Sequence, residues 1–187
     1  MELFPPLELT LLGGWLSLIP MVIIQIVNIF GVSSQARARL FDRSEHSSYQ
    51  RVLLVISKST SLILLFLIIF TPLSGEIAEI ITGFFIITMG CVGVMMAVMD
   101  FISTPINEPV TKGLYKYSRN PQEVMLSLIM FGACITISSW LALVILGVSR
   151  IINHISILAQ EQACIKQYGD SYKEYMKRIP RYFLFLK

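Results

Sequence analysis

Residues 120–161 read NPQEVMLSLIMFGACITISSWLALVILGVSRIINHISILAQE, and this stretch decides the fold. Two apolar runs flank one short polar break, Ser138-Ser139. At about 1.5 Å of helical rise per residue each run covers roughly 30 Å, the thickness of a bilayer's hydrocarbon core. The stretch therefore reads as a helical hairpin that crosses a membrane and returns. Ser138-Ser139 make the tight turn, and Trp140 suits the membrane interface. About 19 residues lead from Asn120 up to Ser139, and about 21 lead from Trp140 down to Glu161, so the two ends return to one depth.

The second leg carries polar groups that a lipid-facing helix does not need. Arg150 and His154 are spaced four apart and Glu161 lies seven further on, so they share a broad face. Asn153 and Gln160 form a neighbouring stripe. Arg150 falls about 15 Å from Trp140 along the helix, near the middle of the membrane. Ionisable residues there are costly and mark function by default. An internal ion pair that orients helices, or a snorkelling side chain, is the plainer alternative.

Working outward, the rest of the chain has the same character. It has 187 residues, 55% of them hydrophobic and only 14% charged, with a mean hydropathy of +0.70. A soluble domain usually carries about 25% charged residues. Five spans are expected, at 11–30, 52–70, 77–99, 121–137 and 140–159. The fold class is all-α, an integral membrane bundle of five transmembrane helices with a helix 4–5 hairpin and a cytoplasmic C-terminal segment. A single domain, 1–187, is expected, with 1–99 forming a three-helix part. Gly83, Gly90, Gly93 and Ala97 on the third span permit close helix packing. The fifth helix is expected to run on to about Tyr168, with Gly169 as its C-cap. The opening residues lack a basic n-region, so the first apolar block is expected to stay as a membrane helix.

Basic residues set the expected orientation. Arg37, Arg39, Arg43 and Arg51 mark the first long loop, and Lys112, Lys116 and Arg119 the second. Lys166, Lys173, Lys177, Arg178, Arg181 and Lys187 mark the tail. The other side has Glu2, Glu8, Glu76 and Glu79. The positive-inside rule then places the N-terminus outside and the C-terminus in the cytoplasm. Cys91, Cys134 and Cys164 have no CxxC spacing, and His46 and His154 join no ligand cluster, so neither a disulfide framework nor a metal site is expected. Nothing points to nucleic acid, and a monomer is the expectation.

Two polar segments remain. The connector TKGLYKYSRNPQEV, residues 111–124, combines Gly113, which permits an unusual turn, with Tyr115, Tyr117 and the planar fork of Arg119. Pro121 can open a helix whose first N–H groups face an anion. Alternatively the connector is a basic interfacial loop with an aromatic belt. The tail KQYGDSYKEYMKRIPRY, residues 166–182, is either an amphipathic membrane-surface segment or a cap over a site.

Together these segments resemble the isoprenylcysteine carboxyl methyltransferase family and its phospholipid methyltransferase relatives. The connector matches at Val110-Thr111, Gly113, Tyr115, Arg119, Asn120 and Pro121. The tail matches at Gln160-Glu161, Tyr168-Gly169, Tyr172, Tyr175, Arg178, Ile179 and Pro180. The resemblance implies an S-adenosylmethionine-dependent membrane methyltransferase, leaving S-adenosylhomocysteine as product, with residues 100–187 as the cofactor-binding part. It implies a cofactor site at Asn107, Glu108, Pro109, Val110, Tyr115, Asn120, Pro121, Gln122 and Glu123. Gly113, His154, Gln160 and Glu161 join that expected site. Tyr115 would take the adenine, Glu161 or Glu108 the ammonium or ribose, and Arg119 or Asn120 the carboxylate.

The implied acceptor is lipid-bearing, in the first instance the carboxylate of an isoprenylcysteine-like substrate, with Arg119 and Arg150 as the expected catalytic cations. A tail arginine is a further candidate. A phospholipid amine is the alternative acceptor, and a non-enzymatic membrane subunit or carrier is the alternative class. Three positions depart from the family: Gln160 replaces an acidic residue, Glu123 replaces a tyrosine, and Ser156 stands where a substrate-binding arginine is expected.

Overall fold

The structure is a computed structural model that describes residues 1–30 and 48–182. The basic residues Arg37, Arg39 and Arg43, together with His46 and Lys187, lie outside the described residues. Six α-helices form among those described, with no strand: α1 (Trp15–Phe30), α2 (Ser48–Phe70), α3 (Ile77–Ile102), α4 (Pro121–Thr136), α5 (Trp140–Tyr168) and α6 (Asp170–Arg178). A 3-10 turn, Gly113–Lys116, interrupts the connector before α4.

The helices α3 and α5 are each long and apolar enough to cross a bilayer. The apolar stretches Trp15–Val27, Val55–Phe70 and Pro121–Thr136 are shorter. Large apolar side chains point outward from several helices, among them Val22, Leu62, Phe85, Val144 and Ile151. Such an exterior suits lipid, because a soluble monomer rarely exposes a large continuous apolar surface.

Helix limits follow local chemistry. Pro121 sits at the first turn of α4, where its missing N–H costs nothing. Ser138 adopts φ +51 at the hairpin turn, and the Ser139 hydroxyl accepts from the Ala142 N–H to cap α5. Gly169 ends α5 at φ +60, as its place after Tyr168 implied. The first helix begins later than expected. Residues 11–14 do not join α1, because the Gly14 N–H donates to Thr71 O and the Leu73 N–H to Leu12 O. Those backbone bonds hold this segment against the end of α2.

The packing divides the hairpin. The leg α4 packs mainly on α3, while α5 packs mainly on α2, and α4 and α5 share far less contact with each other. The close α3–α4 approach rests on glycine. A Cβ on Gly83 would stand 2.7 Å from Gly132 O, and one on Gly132 would stand 2.7 Å from Gly83 O. Ile87, Val94, Ile129, Ala133 and Cys134 fill this seam and are buried. The result is a dry, tight half and a second half in which the hairpin legs part towards the connector end.

Candidate active site

The gap between the legs opens into two cavities that share one residue, Glu123. The first, of about 280 Å³, lies among the connector, the start of α4, the end of α5 and the tail. That volume is at the small end of ligand cavities. Of the expected site residues, Pro109, Val110, Tyr115, Arg119 and Asn120 line it from the connector side. Gln122 and Glu123 line it from α4, and Gln160 and Glu161 from α5. The tail supplies Tyr172 and Tyr175, so it covers the cavity. The two rings are buried beside Tyr115 and Val110. Burial pushes both phenols well above their ordinary titration range.

Other expected residues lie elsewhere. Asn107 and Glu108 are exposed, and neither they, Gly113 nor Pro121 lines the cavity. Gly113 acts one step back. It adopts φ +55, and the Asp100 carboxylate lies where its Cβ would be. The Leu114 N–H donates to Asp100 Oδ2 at 3.1 Å, which fixes the turn that aims Tyr115 inward. His154 and Arg150 line the second cavity instead of the first.

Glu161 is the electrostatic centre of the first cavity. It is 3% exposed, yet it carries two cations. Arg181 Nε donates to both carboxylate oxygens at 3.1 Å, and Arg181 Nη2 donates to Oε2 at 2.9 Å. This fork holds the Arg181 guanidinium above its ordinary value. Arg119 Nε stands 3.1 Å from Glu161 Oε1, but without the alignment of a hydrogen bond. Asn120 Nδ2 donates to the same oxygen at 3.4 Å, so the two ends of the hairpin do meet at one depth. Two guanidinium groups against one carboxylate leave the cluster with one excess positive charge. A buried Nε–H without an aligned acceptor is an open donor in such a site.

The second cavity, of about 470 Å³, lies between the legs and is lined by Glu123, Ser127, Arg150, Asn153, His154 and Tyr182, with apolar neighbours. Its polar groups are largely satisfied among themselves. Asn153 Nδ2 donates to Glu123 Oε2 at 2.9 Å, and Arg150 Nη1 lies 3.5 Å from that same oxygen. Arg150 Nη1 also donates to Ser127 Oγ at 3.3 Å. His154 Nδ1 lies 2.8 Å from the Tyr182 hydroxyl. Sequence reasoning missed Asp100 and Tyr182 as site residues, and it held Arg181 only as one of several tail arginines, toward the acceptor and not as the partner of Glu161. A lone acid closing the third apolar run was a sign of the first. Arg181 and Tyr182 follow Pro180 directly, where the tail motif ends.

The phospholipid methyltransferase family model matches residues 77–171, about half of the chain and the part that supplies most of the lining of both cavities. The chain belongs to this family. It is the family of integral membrane methyltransferases that includes the isoprenylcysteine carboxyl methyltransferases. Membership implies methyl transfer at a membrane and a lipid-type substrate. Methyltransferases of this kind generally use S-adenosylmethionine. No significant match to a curated protein or a solved structure was found.

The first cavity suits that cofactor. Its amino-acid end is a zwitterion, and the Arg119–Glu161–Arg181 cluster offers both signs of charge with an open Nε–H donor. Its adenine is flat and apolar with polar edges, matching the buried faces of Tyr115 and Tyr172 and the amide of Gln122. Glu161, with Glu108 as the alternative, was expected to take the ammonium or the ribose. Its oxygens are instead largely taken by arginines, which makes it first an anchor for Arg119 and Arg181.

Proposed function

We propose that the chain is an S-adenosylmethionine-dependent methyltransferase that holds its cofactor in the first cavity and admits a lipid-bearing acceptor through the second. Five membrane helices, with the N-terminus outside and the connector and tail in the cytoplasm, complete the reading. When bound, the cofactor supplies a sulfonium methyl, the electrophile for an in-line displacement. The protein's part is placement. Two cavities meeting at one side chain bring donor and acceptor face to face, and proximity of this kind is worth about 7–11 kcal/mol.

The observation that carries the acceptor reading is Glu123, which lines both cavities. A carboxylate at the meeting point attracts an ammonium and repels a carboxylate. Both candidate cations, Arg119 and Arg150, are already paired with Glu161 and Glu123. The acceptor best matched is therefore the amine of a lipid headgroup. A carboxylate acceptor of the isoprenylcysteine type is the second reading. It rests on the connector and tail motifs and on the buried, unpartnered Nε of Arg150.

The test is methyl transfer from labelled S-adenosylmethionine by the purified protein in nanodiscs. Label that enters an aminolipid and resists base supports the amine reading. Label in a base-labile ester of a prenylcysteine analogue supports the second. No transfer to either defeats both.

A further inference from the structure

An amine acceptor poses a problem that Glu123 alone does not solve. A protonated amine has no lone pair with which to attack a methyl group. With a pKa near that of lysine, about 10.4, roughly one molecule in a few thousand is free base at pH 7. The Glu123 oxygen nearest the second cavity's polar groups is already engaged by Asn153 and Arg150. It can draw an ammonium in by charge, but another group has to take the proton.

We propose that Tyr182 and His154 form the proton relay that readies this acceptor. The inference rests on the amine reading above. The ammonium N–H bond breaks and leaves its electron pair on nitrogen, and the proton bonds to the Tyr182 hydroxyl oxygen. In the same motion the original Tyr182 O–H bond breaks and that proton bonds to His154 Nδ1. Tyr182 ends as a neutral phenol and His154 as an imidazolium, which returns its proton to water before the next turnover. The amine is then free to take the methyl.

The geometry supplies each part. Tyr182 and His154 both line the second cavity, together with Glu123 and Arg150. The Tyr182 hydroxyl sits 2.8 Å from His154 Nδ1, within range for direct proton transfer. Imidazole is the side chain that ordinarily titrates near neutrality, the condition for a base at physiological pH. Burial, chiefly, raises the Tyr182 phenol above its ordinary range while the Arg181 charge lowers it, so it keeps a proton to pass on.

The strap that carries Tyr182 is held on both sides. The Arg119 N–H donates to Pro180 O at 3.0 Å, Ser118 Oγ donates to Arg181 O at 3.0 Å, and Arg181 grips Glu161. The charged groups around the pair are Glu123 on α4, Arg150 and Glu161 on α5, and Arg181 on the strap, with Arg119 behind Glu161. Among the described residues that line the second cavity, the charged groups beside the pair are Glu123 and Arg150, which are paired with each other, and His154 is the one imidazole.

Tyr182→Phe and His154→Gln test the relay in nanodiscs, with an aminolipid acceptor, from about pH 6 to pH 9.5. General acid–base catalysis contributes about 100- to 10,000-fold, so each variant is expected to lose at least about 100-fold at pH 7. The deficit should shrink about tenfold per pH unit as the free amine becomes abundant. The double variant should cost no more than either single, because the pair acts as one unit. S-adenosylhomocysteine affinity, read by calorimetry, should stay at the wild-type value and certify the fold of each variant. A deficit that is constant across pH overturns the relay, as does wild-type turnover in both variants at pH 7. If the wild-type protein methylates no aminolipid at any pH, the amine reading falls and takes the relay with it.

Discussion

The seam between α3 and α4 and the gap between α4 and α5 share one helix and have opposite chemistry. The seam is glycine against backbone, dry, and built from Gly83, Gly90, Gly132, Ile87 and Ile129. The gap is lined by carboxylates, guanidinium groups and amides that pair with one another around two cavities and leave the Nε–H groups of Arg119 and Arg150 open. The difference teaches that one face of α4 fixes position so that the other can stay apart from its own hairpin partner. A hairpin whose legs packed on each other would have no room for a cofactor.

Breaking the gap's charge cluster has the largest expected effect. Glu161→Ala leaves Arg119 and Arg181 facing each other without their carboxylate. Removing one partner of a buried ion pair costs about 3–5 kcal/mol, and that loss should show in denaturant unfolding of the detergent-solubilised protein. An unchanged midpoint would mean that the cluster contributes nothing to holding the tail on the bundle.

The seam comes next. Gly83→Ala puts a methyl 2.5 Å from Thr136 Cγ2 and 2.7 Å from the Gly132 carbonyl. Overpacking of this kind costs about 1–3 kcal/mol, and Gly132→Ala should behave alike. Gly147 meets nothing within 4 Å, so Gly147→Ala should be neutral or mildly stabilising. Equal thermal shifts for the seam and Gly147 variants would remove the contrast.

The connector lies between these extremes. Asp100→Asn weakens the acceptor under the 3-10 turn, and a lost charge-assisted hydrogen bond is worth about 1.5–3 kcal/mol at most in such a setting. S-adenosylhomocysteine affinity should fall several-fold with the helices intact. An unchanged affinity would mean that Tyr115 is aimed by something else.

The smallest effect at neutral pH belongs to Tyr172. Burial raises its pKa in the folded protein above the ordinary phenol value near 10. The stability it contributes is therefore fully present below about pH 10 and is lost as pH rises toward the folded value. Alkaline unfolding should begin above about pH 10, and Tyr172→Phe should shift it to higher pH with little change at pH 7. A Phe variant that unfolds at the same pH would exclude this phenol as the cause.

Much of this was legible in the sequence, because hydropathy and helical rise are local properties. The hairpin limits, the meeting of Asn120 with Glu161, and Gly169 as the end of α5 all follow from counting along the chain. What counting could not reveal was choice of partner. Nothing in the spacing says that α5 prefers α2 to α4, and the gap depends on that preference. The later start of α1 has the same origin, since the Gly14 N–H is taken by Thr71, a residue far along the chain. The roles of the arginines were open for a similar reason. Arg181 reaches Glu161 only because the tail folds back after Gly169, and Arg119 and Arg150 were each expected near substrate before their carboxylate partners were visible.

The most direct measurement is calorimetric titration of S-adenosylhomocysteine into the purified protein and into Ala163→Phe. Ala163 lines the first cavity, and a phenyl ring there occupies much of its volume. A matched Val148→Phe change, on the exposed face of α5, is the control. Saturable one-site binding in the wild type and in the control, lost in Ala163→Phe at unchanged helix content, is the result predicted for a cofactor held between the hairpin legs. Equal affinity in all three proteins, or no saturable binding in any, would contradict it.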